Sequence, residues 1–166
     1  MTRRLATICL MTMFLYGISS PPAPAQDTER TRRSLKGITA IEVLVEDLPD
    51  GAKLLGLTKE SIKTDVELKL RLAGIRVVTP EESLMIPGMP ELYVNITLTD
   101  GAEAGSIDVQ LNQNVMLERN GQLAIGATTW DTGVLLSHPT AEGIRNSTKD
   151  HVDKFLNAWL SSNPKK

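Results

Sequence analysis

The stretch IDVQLNQNVML, Ile107 to Leu117, decides the fold. Its odd positions Ile107, Val109, Leu111, Val115 and Leu117 are apolar, whereas Asp108, Gln110, Asn112 and Asn114, with Glu118 one step on, are polar. Side chains alternate across a strand, so a period of two describes a strand with one buried and one wet face. A sheet wet on one side is an antiparallel one. Asn120-Gly121 follows at once, and both residues accept the positive φ of a two-residue type I′ hairpin turn. Gln122 to Asp131 is then the return strand, with Leu123, Ile125 and Ala127 inward and Ala124, Gly126, Thr128 and Trp130 outward. Upstream, Leu92, Val94, Ile96 and Leu98 alternate with Tyr93, Asn95 and Thr97, which adds a third strand of the same kind.

Further out, Thr58 to Ala73 is a helix. Ile62, Val66, Leu70 and Ala73 recur at spacings of four and three, and Leu68 and Leu72 widen the stripe. Thr58 caps its start and Gly74 ends it with a left-handed residue. Ile75 to Thr79 is a strand, Pro80 to Leu84 a short helical turn, and Ile38 to Val45, rich in β-branched residues, the first strand. Thr140 to Ser162 is a second long helix, with Ile144, Thr148, Val152, Phe155, Leu156, Trp159 and Leu160 on one face. Gln26 to Gly37 is polar and aperiodic and is read as a flexible leader before a single domain over residues 38–163. The expected fold class is α+β: a two-layer α/β sandwich in the order β-α-β-β-β-β-α. Its sheet is mixed and mostly antiparallel, with both helices on its apolar face.

The first 25 residues have the layout of a cleavable export signal. Arg3 and Arg4 precede an apolar run from Leu5 to Gly17, and Ala23-Pro24-Ala25 offers small residues for cleavage between Ala25 and Gln26. The run holds 13 residues, short of the roughly 20 that cross a bilayer, so no transmembrane segment is expected to remain. Cys9 follows Ile8 rather than a small residue, which argues against a lipid anchor. The expected product has 141 residues without cysteine, destined for the periplasm or secretion, with 16 Lys and Arg against 20 Asp and Glu. A net charge of −4 speaks against nucleic-acid binding, which needs cationic patches. Arg30, Arg32, Arg33 and Lys36 form the one local basic cluster, a solvated leader or a contact for anionic lipid or polysaccharide.

Catalytic constellations are sparse. Asp150-His151-x-Asp153, with His138, holds metal-ligand residue types without a paired His spacing, and is read as the solvated side of the last helix. Ser137-His138 with Asp131 lacks the strained G-x-S-x-G elbow of a hydrolase triad. Gly101 and Gly105 open no phosphate-cradling loop, and no cofactor is expected. Glu42, Glu46, Asp108 and Glu118 are outward carboxylates that could serve glycoside hydrolysis if their strands adjoin. Tyr93, Asn95, Gln110, Asn112 and Trp130 are the candidate binding residues, aromatics and amides expected on the sheet face the helices leave open.

The segments ITAIEVLVEDL, TDVELKLRLAGIRVVT and ELYVNITLTD, with the hairpin through Asn120-Gly121, resemble a group of small bacterial envelope proteins. That group includes the lipopolysaccharide-assembly lipoprotein LptE and the amino-terminal domain of the translocation protein TolB. The resemblance implies an α/β sandwich and a part in envelope assembly, with an envelope protein or glycolipid as partner. The chain departs from LptE in having no lipobox cysteine and from TolB in having no propeller, and no functional residue transfers. The expectation is a soluble, periplasmic or secreted, non-enzymatic binding module. The alternative is a small envelope-polymer hydrolase using carboxylates of the exposed sheet face.

Overall fold

A computed structural model describes residues 27–164. The expected export signal, with its expected Ala25–Gln26 cleavage position, lies outside the described residues. Among the described residues, the order is α1 (Glu29–Arg32), a 3₁₀ turn (Arg33–Leu35), β1 (Ala40–Val45), α2 (Asp50–Leu54), α3 (Lys59–Ala73), β2 (Arg76–Val78), α4 (Pro80–Ser83), β3 (Glu91–Leu98), β4 (Ala104–Met116), β5 (Leu123–Ser137) and α5 (Ala141–Ser162). This is an α+β fold. The five strands form one mixed sheet in the order β2-β1-β3-β4-β5. β1 pairs in parallel with β2 and β3, and the longer β3–β4 and β4–β5 ladders are antiparallel.

α3 and α5 cover one face. Ile62, Val66 and Leu70 of α3 and Ile144, Val152 and Phe155 of α5 share a core with Ile41, Val43, Leu92, Val94, Val109 and Leu111. Thr58 caps α3 by accepting from the Ser61 amide at 3.2 Å, and Gly74 ends it at φ 94°, a conformation that a β-carbon would make costly. Two ion pairs staple the helices together. Arg145 donates to both Asp65 oxygens at 2.8 and 2.9 Å, and Lys69 reaches Asp153 at 2.6 Å. Leu68 and Leu72, expected to widen the α3 stripe, are 54% and 77% exposed. Their positions turn past the sheet, and among the described residues no second layer lies outside the helices.

The flexible leader is the first correction. Thr28 caps α1 through a reciprocal box with Thr31, and Leu35 is fully buried in the core. Asp27 takes both bonds of Arg32 at 2.7 Å and the indole N–H of Trp130 at 3.3 Å. The Gln113 amide donates to Ser34 O at 3.1 Å and Thr129 Oγ1 at 2.8 Å. Gln113 breaks the apolar odd positions of β4 because polar leader backbone, not a helix face, lies over it.

The second correction concerns β5, whose register partners reverse the expected faces at Trp130 and at Leu123 and Ala124, while Ala127 and Thr128 keep theirs. Trp130 pairs with Leu111, is fully buried, and meets Phe155 edge-on at a centroid distance of 5.4 Å. Leu123 and Ile125, expected inward, are 57% and 79% exposed. One residue of slip moves a whole strand to the other face, so Trp130 and the Leu123–Ile125 pair cannot both be buried. The indole carries more apolar area than either aliphatic chain, and only its end of the strand lies under α5. Two irregularities separate the ends, one carried by Gly126 at φ 63°, and such bulges re-aim side chains locally. The hairpin also differs from the expected type I′ turn. Leu117 O accepts from Asn120 N at 3.3 Å and Gly121 N at 2.7 Å. Only Gly121 of that pair has positive φ, at 66°.

Candidate functional site

Among the described residues, α3 and α5 leave the second sheet face open, apart from α4 over its β2 edge, where Val78 and Ser83 are buried. Register partners arrange the open face in rows. Glu42, Glu91, Asn112 and Thr128 form one row, Leu44, Tyr93, Gln110 and Asp131 the next, and Asn95, Asp108 and Gly133 a third. Neighbours stand about 4.8 Å apart across strands and roughly 6.7 Å apart along them. Tyr93, Asn95, Gln110 and Asn112 therefore come together as expected. Trp130 does not join them, because its ring is in the core.

Cross-strand bonds order this surface. The Tyr93 hydroxyl donates to Glu46 Oε2 at 2.9 Å. Asn112 donates to Glu91 Oε1 at 3.3 Å and accepts from the Thr128 hydroxyl at 2.8 Å. Thr97 and Ser106 hydroxyls meet at 2.9 Å, and Ser106 donates to Asp108 at 3.2 Å. The carboxylates Glu42, Glu46, Glu91, Asp108 and Asp131 share the face, while β1, β3, β4 and β5 contain no Lys or Arg. Burial and the Asp108 charge push the Asp131 carboxyl above its ordinary range. The hydrogen bond to Glu46, with burial, pushes the Tyr93 phenol up. A hollow of about 170 Å³ indents one end of the face, lined by Glu42, Ser83, Glu91, Asn112, Asn114 and Ile125 among others.

Glu91 and Asp131 join the outward carboxylates expected from the sequence, and the four strands offer them no cation. Both come to this face through strand register. Glu118 lies instead in the hairpin loop. His151 is buried rather than on the solvated side of α5, with Nδ1 at 3.0 Å from Thr132 Oγ1. Its helix face was the only signal, since it stands seven positions after Ile144 and four before Phe155. Burial first, then Lys154, hold its imidazole below the usual value. Asp153 is taken by Lys69, and among the described residues no group of three or more His, Cys, Asp or Glu could hold a metal ion. Ser137 Oγ and His138 Nδ1 are 3.1 Å apart on the surface, but Asp131 is six residues away along β5, roughly 20 Å, so the three form no triad. Among the described residues no helix is long and apolar enough to cross a membrane.

No family model matches the chain, and no curated protein matches it. Among solved structures it is similar to a variant of the PelC dodecamer from Paraburkholderia phytofirmans, with TM-score 0.43 and 14% identity over 75% of this chain and 89% of that one. A second crystal form of the PelC dodecamer gives TM-score 0.39 and 16% identity over 72% and 87% of the two chains.

Proposed function

We propose that the protein is a non-enzymatic binding module of the cell envelope that takes a partner on the open face of its sheet. The observation that carries this reading is the uncovered face itself. It presents a phenol, three amides and five carboxylates in fixed rows, bound to one another across the strands, with no cation on the four strands that make it. Tyr side chains favour recognition surfaces because they combine apolar area with a polar tip at little entropic cost. The charge selects a partner surface rich in basic and hydrogen-bonding groups. The export signal and the resemblance to LptE and the TolB domain support the envelope setting. A pull-down with crosslinking from envelope extract checks this. The unsubstituted protein should retain a specific partner that Tyr93→Arg loses, and equal retention by both would refute the open face as the site.

A second reading rests on Asp131. Its carboxyl is raised beside Asp108, its diagonal cross-strand neighbour, as a general acid beside a carboxylate would be. Diagonal neighbours lie about 7–8 Å apart, within the roughly 6.5–9.5 Å of inverting glycosidases. Asp131→Asn separates the readings, since it would abolish polymer hydrolysis, whereas a binding module would keep four of its five carboxylates and retain its partner more weakly.

A further inference from the structure

The two ends of the described chain are bound into one surface. Gly37 N donates to Asn163 Oδ1 at 2.7 Å, the Asn163 amide donates to Leu35 O at 3.0 Å, and the Ser162 hydroxyl donates to Arg32 O at 2.9 Å. Arg32 is committed to Asp27, which in turn holds Trp130. Arg30, Arg33 and Lys36 are exposed. Arg33 has only a 3.4 Å contact with Glu29, in which the side chains are 78% and 90% exposed. Such a pair is worth little and leaves the cation available. Arg33 and Lys36 edge a shallow hollow of about 310 Å³ with Glu29, Arg32, Ser161 and Ser162, three cations against one carboxylate. Lys36 also edges a second, of about 450 Å³, that runs to Pro164, and Lys165 and Lys166 follow Pro164 in the sequence.

This end opposes the charge of the rest of the molecule. Residues 27–36 hold four Lys and Arg against two Asp and Glu, while residues 37–164 hold 10 against 18. We infer that Arg30, Arg33 and Lys36 form a docking surface for an anionic lipid surface. The hollows are shallow and bring no ring of donors together, which suits a charged plane rather than a single enclosed anion. Each Lys or Arg near an anionic membrane strengthens adsorption about five-fold. The acidic remainder is repelled by the same plane, so the basic end sets the orientation. The inference is independent of the open sheet face.

Sedimentation of the expected product, residues 26–166, with vesicles tests it. Vesicles of phosphatidylcholine with phosphatidylglycerol should carry the protein down, and vesicles of phosphatidylcholine alone should not. The triple variant Arg30→Gln, Arg33→Gln, Lys36→Gln should adsorb about a hundred-fold more weakly, and added salt should release the unsubstituted protein. All three side chains are exposed, and an unchanged melting temperature verifies the fold. Equal adsorption to both vesicle types, or adsorption undiminished in the triple variant, would overturn the inference. So would capture of a soluble anionic polysaccharide without adsorption to vesicles, or release of the protein by inorganic phosphate at matched ionic strength.

Discussion

Asp131 and Thr132 are neighbours on β5 that point to opposite faces, and the titrating groups on the two sides respond to acid in opposite senses. On the helix side, the Thr132 partner His151 is kept neutral by burial. Its folded value lies below the unfolded one, so the unfolded chain binds the extra proton. The stability from neutral His151 is complete above about pH 6.5 and is lost as pH falls below it. Chemical denaturation at several pH values should show stability falling between neutral and about pH 5, and His151→Asn should flatten that slope while lowering stability at neutral pH. An unchanged slope would place the acid-sensitive group elsewhere. On the open side, Asp131 is raised by burial and by Asp108. A carboxyl raised in the folded state opposes folding above its folded value, and the cost disappears on acidification. Asp131→Asn should therefore stabilise the protein at neutral pH by up to about 1 kcal/mol, the scale of a cross-strand like-charge contact, and should gain nothing at low pH. Stabilisation by removing a native charge is what a surface kept for binding predicts.

At the scale of elements, the leader and β5 are where local pattern and tertiary structure part. Helix α3 was legible because its apolar spacing, Thr58 cap and terminal Gly74 agree, and α5 because seven residues mark one face. β3 and β4 were legible through alternation, which in β4 is broken at Gln113. The leader was not, since Leu35 is one apolar residue in a polar run and its burial depends on the distant partners Trp130, Gln113 and Asn163. β5 was ambiguous in a different way. Either Trp130 or Leu123 and Ile125 could face inward, and α5 decides between them in three dimensions. Strand order was illegible for the same reason, as parallel pairing of β1 with β3 places residues nearly fifty positions apart in register. The leader has a testable consequence. Leu35→Ala should cost about 3 kcal/mol, roughly 10 °C in melting temperature for a chain of this size, as expected for a buried leucine. A change under about 1 kcal/mol would restore the flexible reading.

Across the whole molecule, charge and coverage are both polarised. The helix layer is stapled by Arg145–Asp65 and Lys69–Asp153, Arg30, Arg33 and Lys36 make a basic end, and the sheet turns its amides and carboxylates outward on the face without helices. The helices supply one side of the core, and the opposite face of the sheet is the one proposed for binding. The four legible site residues, Tyr93, Asn95, Gln110 and Asn112, follow from strand parity alone, whereas Glu91 and Asp131 join them only through register. The direct test is site-specific photo-crosslinking in cells, with the reactive side chain at Tyr93 in one variant and at Leu72, exposed on the outer side of α3, in another. The account predicts a discrete crosslinked partner from position 93 and none in common from position 72. Crosslinks from position 72 alone, or the same products from both positions, would contradict it.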